Sequence, residues 1–182
     1  MNTPSDKTLV PQLLDPRTRR KAFEQVVHLY SQQLYWQIRR IVLVHDDADD
    51  VLQNVFLKAW NNIDSFRNDS KLSSWLYRIA VNESIDFIRQ KKKTTLDISE
   101  SDAGIASALI ADEYFDGNEI QARLQEAIAT LPEKQRIVFN MKYFEEVKYS
   151  DMSDILGTTV GALKASYHIA VNKICDFLRS FD

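Results

Sequence analysis

The chain is poor in the residues on which many folds depend. It holds one cysteine, Cys175, in 182 residues. That excludes an internal disulfide and any cysteine-clustered zinc site. Glycine and proline number four each, too few for the many tight turns of a sandwich or barrel. The three histidines, His28, His45 and His168, lie far apart and none has metal-ligand spacing. No apolar run approaches the roughly 18 residues of a membrane span, and Met1–Arg20 lacks the apolar core of a signal peptide. These absences lead to the expectation of a cytoplasmic, mostly helical protein with no structural metal and no cofactor.

What is present is 45% apolar and 27% charged residues, with a net charge of −3. The charge is unevenly placed. Residues 17–93 hold 14 Lys and Arg against 9 Asp and Glu. Residues 94–119 hold seven acids and no base, and residues 120–182 hold eight of each sign. A basic block, an acidic connector and a neutral block are different working parts. We therefore expect an all-α chain of two small helical domains, 1–93 and 120–182, joined by an acidic linker, 94–119. The linker contains Gly104 and Gly117 and a short apolar patch, Ile105–Ile110; a patternless stretch of this length within one compact domain would be unusual.

Met1–Pro16 reads as a loose tail entering a short first turn. From Arg17 to Val44 apolar residues recur at helical spacing, with Arg17, Arg19, Arg20, Lys21, Arg39 and Arg40 read as a solvated face. His45-Asp46-Asp47 interrupts the pattern, offers an N-cap and places acids at the start of the next helix. That helix, Asp46–Asn61, carries a stripe of Ala48, Val51, Leu52, Val55, Phe56, Ala59 and Trp60. Opposite the stripe lie Asp50, Gln53, Asn54 and Leu57, so a leucine sits amid polar side chains. Either it is an incidental exposed leucine, or it is an apolar anchor ringed by polar groups, as in docking interfaces.

A polar turn, Ile63–Lys71, leads to a helix over Ser73–Lys93, with Ser73 or Ser74 as its cap. Its core stripe includes Trp75, Leu76, Ile79, Ala80 and Phe87. A second line, Arg78, Asn82, Ile85 and Arg89, ends in the basic run Arg89-Gln90-Lys91-Lys92-Lys93. Cations favour a helix C-terminus, but arginines flanking an asparagine also suit a strand of nucleic acid. In the turn, Phe66 stands among Ser65, Arg67 and Asn68. It is either a local packing plug or a platform for an unstacked base.

In the second domain a helix from Glu119 ends near Thr130-Leu131, and Pro132 opens another. Tyr149-Ser150 begins a short helix stopped by Gly157. Thr158-Thr159 caps the last helix, striped by Val160, Leu163, Tyr167, Ala170, Val171, Ile174, Cys175 and Leu178. Cys175 falls on the buried side and reads as a core thiol. Short helix, glycine turn and longer helix is the helix-turn-helix plan.

The segments DADDVLQNVFLKAW, FRNDSKLSSWLYRIAVNESIDFIR, LPEKQRIVF and YSDMSDILGTTVGALKASYHIAV occur in that order. They resemble the RNA polymerase sigma factors, in particular the small extracytoplasmic-function group. The resemblance implies a protein that directs core RNA polymerase to promoter DNA and helps melt it. By it, Asp50, Gln53, Asn54 and Leu57 would meet the polymerase clamp, on the beta and beta-prime subunits. Ser65, Phe66, Arg67, Asn68, Arg78, Asn82 and Arg89 would hold the melted −10 strand, with Phe66 lining the pocket for a flipped base. Where primary sigma factors carry tandem tryptophans this chain has Arg78 and Ile79, which implies weaker melting. Gly161, Ala162, Lys164, Ala165, His168 and Ile169 would face the −35 duplex. The usual arginines are missing there, so shape and backbone contacts are expected to carry much of the recognition. The acidic linker resembles the segment that threads the polymerase channel. An anti-sigma factor is implied as a partner, and a small-molecule substrate is not.

Two other classes compete. A stand-alone helix-turn-helix regulator explains residues 120–182 but leaves Leu57, Phe66 and the Arg78–Arg89 line without purpose. An all-helical enzyme lacks a visible nucleophile–base pair or a phosphate-cradling glycine loop.

Overall fold

The computed structural model describes residues 6–66, 71–94 and 119–180. The expected acidic linker, apart from Thr94 and Glu119, lies outside the described residues, as do Arg67 and Asn68. The described residues form eight α-helices and no strand. These are α1 (Asp6–Leu14), α2 (Arg19–Val42), α3 (His45–Asn61), α4 (Leu72–Thr94), α5 (Glu119–Ala129), α6 (Glu133–Tyr143), α7 (Tyr149–Leu156) and α8 (Val160–Arg179). A one-turn 3-10 helix, Ile63–Ser65, sits between α3 and α4. No described helix is long and apolar enough to cross a membrane. The chain divides into two compact units, Met1–Arg39 with Asp46–Lys91 and Arg40–His45 with Lys92–Asp182.

In the first unit the core is built from the expected stripes. Ala22, Val26, Leu34 and Ile38 of α2, Ala48, Val51, Val55 and Ala59 of α3, and Leu76, Ala80 and Val81 of α4 are all buried. Asp46 and Asp47 lie in the first turn of α3, where they face the positive end of the helix dipole. Phe23 of α2 meets the edges of Phe56 and Trp60 of α3, with ring centroids 6.3 and 5.1 Å apart. Two ion pairs brace α3 against α4: Lys58 with Glu83, and Lys91 with Asp47 at 2.6 Å.

Several expectations need correction. The supposed tail contains α1, a helix with Pro11 inside it. Three apolar residues, Leu9, Val10 and Leu13, are spaced to bury one face. α1 packs near the 3-10 turn, and Arg19 ties the two together. Its Nε donates to the Leu13 carbonyl at 3.0 Å, and its two Nη groups donate to both carboxylate oxygens of Asp64. Arg39 is not part of a solvated face: it is 1% exposed and has a partner within the protein. Trp60 keeps substantial exposure at the margin of its stripe. Ser73 and Ser74 lie inside α4 rather than capping it, because the Lys71 carbonyl already accepts from the Ser74 and Trp75 amides.

In the second unit α8 packs against α5, α6 and α7. Ala127, Ile128, Leu131, Phe139, Ala170 and Ile174 form the buried cluster, with Leu124, Tyr167 and Leu178 against it. Phe139 stacks on Tyr167 at 5.7 Å and 16°, a pairing that adds about 0.5–1.5 kcal/mol beyond area burial. Burial pushes the Tyr167 phenol above its ordinary pKa. Pro132 is the N-cap of α6, one residue before the expected place. Val160 and Cys175 are exposed. The stripe of α8 therefore runs through Leu163, Ala170 and Ile174, and its phase turns Cys175 outward.

Candidate nucleic-acid and protein interfaces

Three exposed faces emerge from these elements. On α3, Asp50, Gln53, Asn54 and Leu57 are all exposed, and Leu57 reaches 61%. The 3.6-residue repeat forces this result. Ala48, Val51, Val55 and Ala59 turn one way, so residues two positions removed from them turn the other. Folding of the described residues leaves most of the Leu57 side chain uncovered. Covering such a side chain contributes about 1.5–3 kcal/mol to whatever does so.

On α4, Arg78, Asn82 and Arg89 are exposed, and Ile85, expected on the same line, is buried. The face is thus more polar than its spacing suggested. Arg89 has Asp86 at 3.6 Å beside it, an exposed pair of little energetic weight. Ser65 is exposed and its hydroxyl donates to the Asn62 carbonyl at 2.7 Å. Phe66 departs from the expectation of a ring open to a base. It is 4% exposed and lies 5.2 Å from the Trp75 ring. In this conformation it is the packing plug. No signal in the sequence distinguished the two roles, because an aromatic in a polar turn serves either.

On α8 all six expected residues, Gly161, Ala162, Lys164, Ala165, His168 and Ile169, are exposed. The local geometry that presents them begins at Gly157, whose φ of 61° is left-handed and whose amide donates to the Ser153 carbonyl at 2.9 Å. The Thr159 hydroxyl then accepts from the Ala162 amide at 3.2 Å, satisfying one of the free donors at the start of α8. The Ser153 hydroxyl donates to the Thr158 carbonyl and closes the turn. The Lys142 and Lys164 ammonium groups lie 5.1 and 5.9 Å from the Tyr149 ring centre, within the range of a cation–π contact. One polar partner on this helix escaped the sequence reading: Asn172 Nδ2 lies 3.3 Å from His168 Nε2.

A helical unit with a charged outer face on α4, and a second unit ending in a capped helix-turn-helix, fit a class of transcription protein. Family models agree: Sigma-70 region 2 matches residues 26–94, and Sigma-70, region 4 matches residues 121–174. The ECF RNA polymerase sigma factor SigW of Bacillus subtilis is 33% identical over 157 residues, covering 81% of this chain and 83% of that protein. The ECF RNA polymerase sigma-E factor of Escherichia coli is 28% identical over 169 residues, covering 86% and 88%. The chain belongs to the sigma-70 family of RNA polymerase sigma factors, in its extracytoplasmic-function group, and so serves promoter-specific transcription initiation. Two solved structures share the fold at a TM-score of 0.66. CnrH, in complex with the cytosolic domain of CnrY, is 22% identical, with 98% of this chain and 100% of that one covered. The sigma factor RpoE, in complex with the anti-sigma factor NepR from Bartonella quintana, is 23% identical, with 87% and 98% covered.

Proposed function

We propose that the three faces divide the work of initiation, with residues 1–93 and 120–182 as separate functional domains and residues 94–119 as the connector. The α3 face docks on core polymerase through Leu57, ringed by Asp50, Gln53 and Asn54. The α4 face holds the melted −10 strand through Arg78, Asn82 and Arg89, with Ser65, Phe66, Arg67 and Asn68 at its upstream edge. The α8 face meets the −35 duplex. The observation that carries this reading is Leu57, the most exposed leucine of the described core helices at 61% and centred on a wholly exposed polar ring. A large apolar side chain so placed supports protein docking rather than a nucleic-acid contact.

The protein performs no catalysis itself in this reading, works in the cytoplasm, and is held in check by an anti-sigma factor. The structural neighbour RpoE, in complex with the anti-sigma factor NepR, supports that last point. The test is the binding of labelled promoter DNA with and without core polymerase. Specific binding is expected only with polymerase present. Tight, sequence-specific binding by the free chain would replace this reading with that of a stand-alone regulator.

A further inference from the structure

α8 exposes two parallel lines of side chains. One is apolar: Ala162, Ala165 and Ile169, at offsets of three and four residues, with Ile169 44% exposed. The other is polar: Lys164, His168 and Asn172, also all exposed. Nothing in the fold of the second unit requires an isoleucine at position 169, because Leu163, Ala170 and Ile174 already supply the buried face. The charge around these lines favours a polyanion. Between Asp154 and Asp176 the sequence contains Lys164 and Lys173 and no carboxylate.

The polar line offers little to tell one base pair from another. Lys164 is a point charge suited to phosphate. The Nε2 edge of His168 is taken up with Asn172 at 3.3 Å, which leaves one ring nitrogen to face outward. No arginine or glutamine stands on α8 before Arg179, so base contacts from the polar line rest on Lys164 for guanine and on Asn172 for adenine, and the Asn172 amide nitrogen is already engaged by His168. What the apolar line can recognise in a major groove is the C5-methyl group of thymine.

We propose that Ile169 is a specificity-determining residue that reads thymine in the −35 element through its C5-methyl group, with Ala165 completing the apolar contact. This rests on the assignment of α8 to the −35 duplex. Ile169 covers the methyl from one side and Ala165 leaves room for the base edge to approach. His168, held by Asn172, flanks this contact.

The experiment uses the full chain bound to core polymerase. Promoter fragments randomised across the upstream element are selected, and each thymine of the selected element is then replaced singly by deoxyuridine, which lacks only the methyl. At one or two positions affinity falls about fourfold, the worth of one buried methyl group. With Ile169→Ala that sensitivity to uracil disappears, and with Ile169→Val most of it remains. Circular dichroism checks that both variants keep their helices, and position 169 is exposed, so they are expected to fold. An upstream element whose thymines all tolerate uracil, or an equal loss in wild type and Ile169→Ala, overturns the inference alone. A holoenzyme that selects no upstream element overturns the −35 assignment and the inference with it.

Discussion

α4 and α8 each turn a face to solvent, and the two faces are chemically opposite. The α4 face carries Arg78, Asn82 and Arg89, and the aromatic of the preceding turn, Phe66, is folded inward. The α8 face carries Gly161, Ala162, Ala165 and Ile169, with Lys164 and His168 as its polar members. A melted strand exposes phosphates along a flexible backbone, so charges spaced along a helix suit it. A duplex presents a groove of fixed width, so small side chains that let a helix enter suit it better. The α3 face belongs to neither kind: acidic and amide groups ring an apolar centre, a composition suited to protein. In the proposed assignment each face is matched to its partner by residue chemistry, whereas the helix is common to all three.

The comparison can be broken most decisively at Leu57. Leu57→Asp is expected to abolish co-elution with core polymerase while leaving the circular dichroism spectrum of the free chain unchanged; a loss of helix would place Leu57 in the core. Next in size, Phe66→Ala should lower the stability of the first unit by about 3 kcal/mol, as removal of a buried phenylalanine does, read as a fall in its urea midpoint. Phe66→Leu, which keeps most of the volume, sharpens the point. Permanganate reactivity of the melted strand in Phe66→Leu is expected to match wild type, because Phe66 acts by packing; a fall would show that a base stacks on its ring. The smallest effect is expected at Gly157. Its φ of 61° is left-handed, yet a Cβ there would meet nothing within 4 Å. Gly157→Ala should therefore cost only the backbone strain, about 1 kcal/mol, seen as a small drop in the melting temperature of the second unit. Gly157→Asn should recover part of it.

Much of this architecture was legible in the sequence because its helices are amphipathic and its stops are chemical. Gly157 and Thr159 mark the turn of the helix-turn-helix by their own conformational and hydrogen-bonding preferences, and both act there as expected. The exposed faces of α3 and α8 followed from 3.6-residue phase. What was not legible depends on contacts distant in sequence. α1 is short, contains Pro11, and is held by Arg19 and the 3-10 turn rather than by its own propensity. The inward placement of Arg39 runs against the usual solvation of a cation. Cys175 was misplaced because one residue rotates a helix by 100°, enough to carry a side chain from flank to surface. Phe66 was ambiguous because burial in a turn depends on Trp75, nine residues on.

The Arg19–Asp64 clasp has a consequence for how the chain is made. Its two partners are 45 residues apart, and α1 is too short to hold a helix unaided. At about 5–20 residues per second of synthesis, Arg19 waits roughly two to nine seconds for its carboxylate to emerge. During that interval Leu9, Val10 and Leu13 lack the 3-10 turn that α1 packs near, and the nascent α1 segment is a substrate for whatever chaperone or protease reaches it first. The step that locks α1 down is thus set by the ribosome's pace rather than by the speed of helix formation.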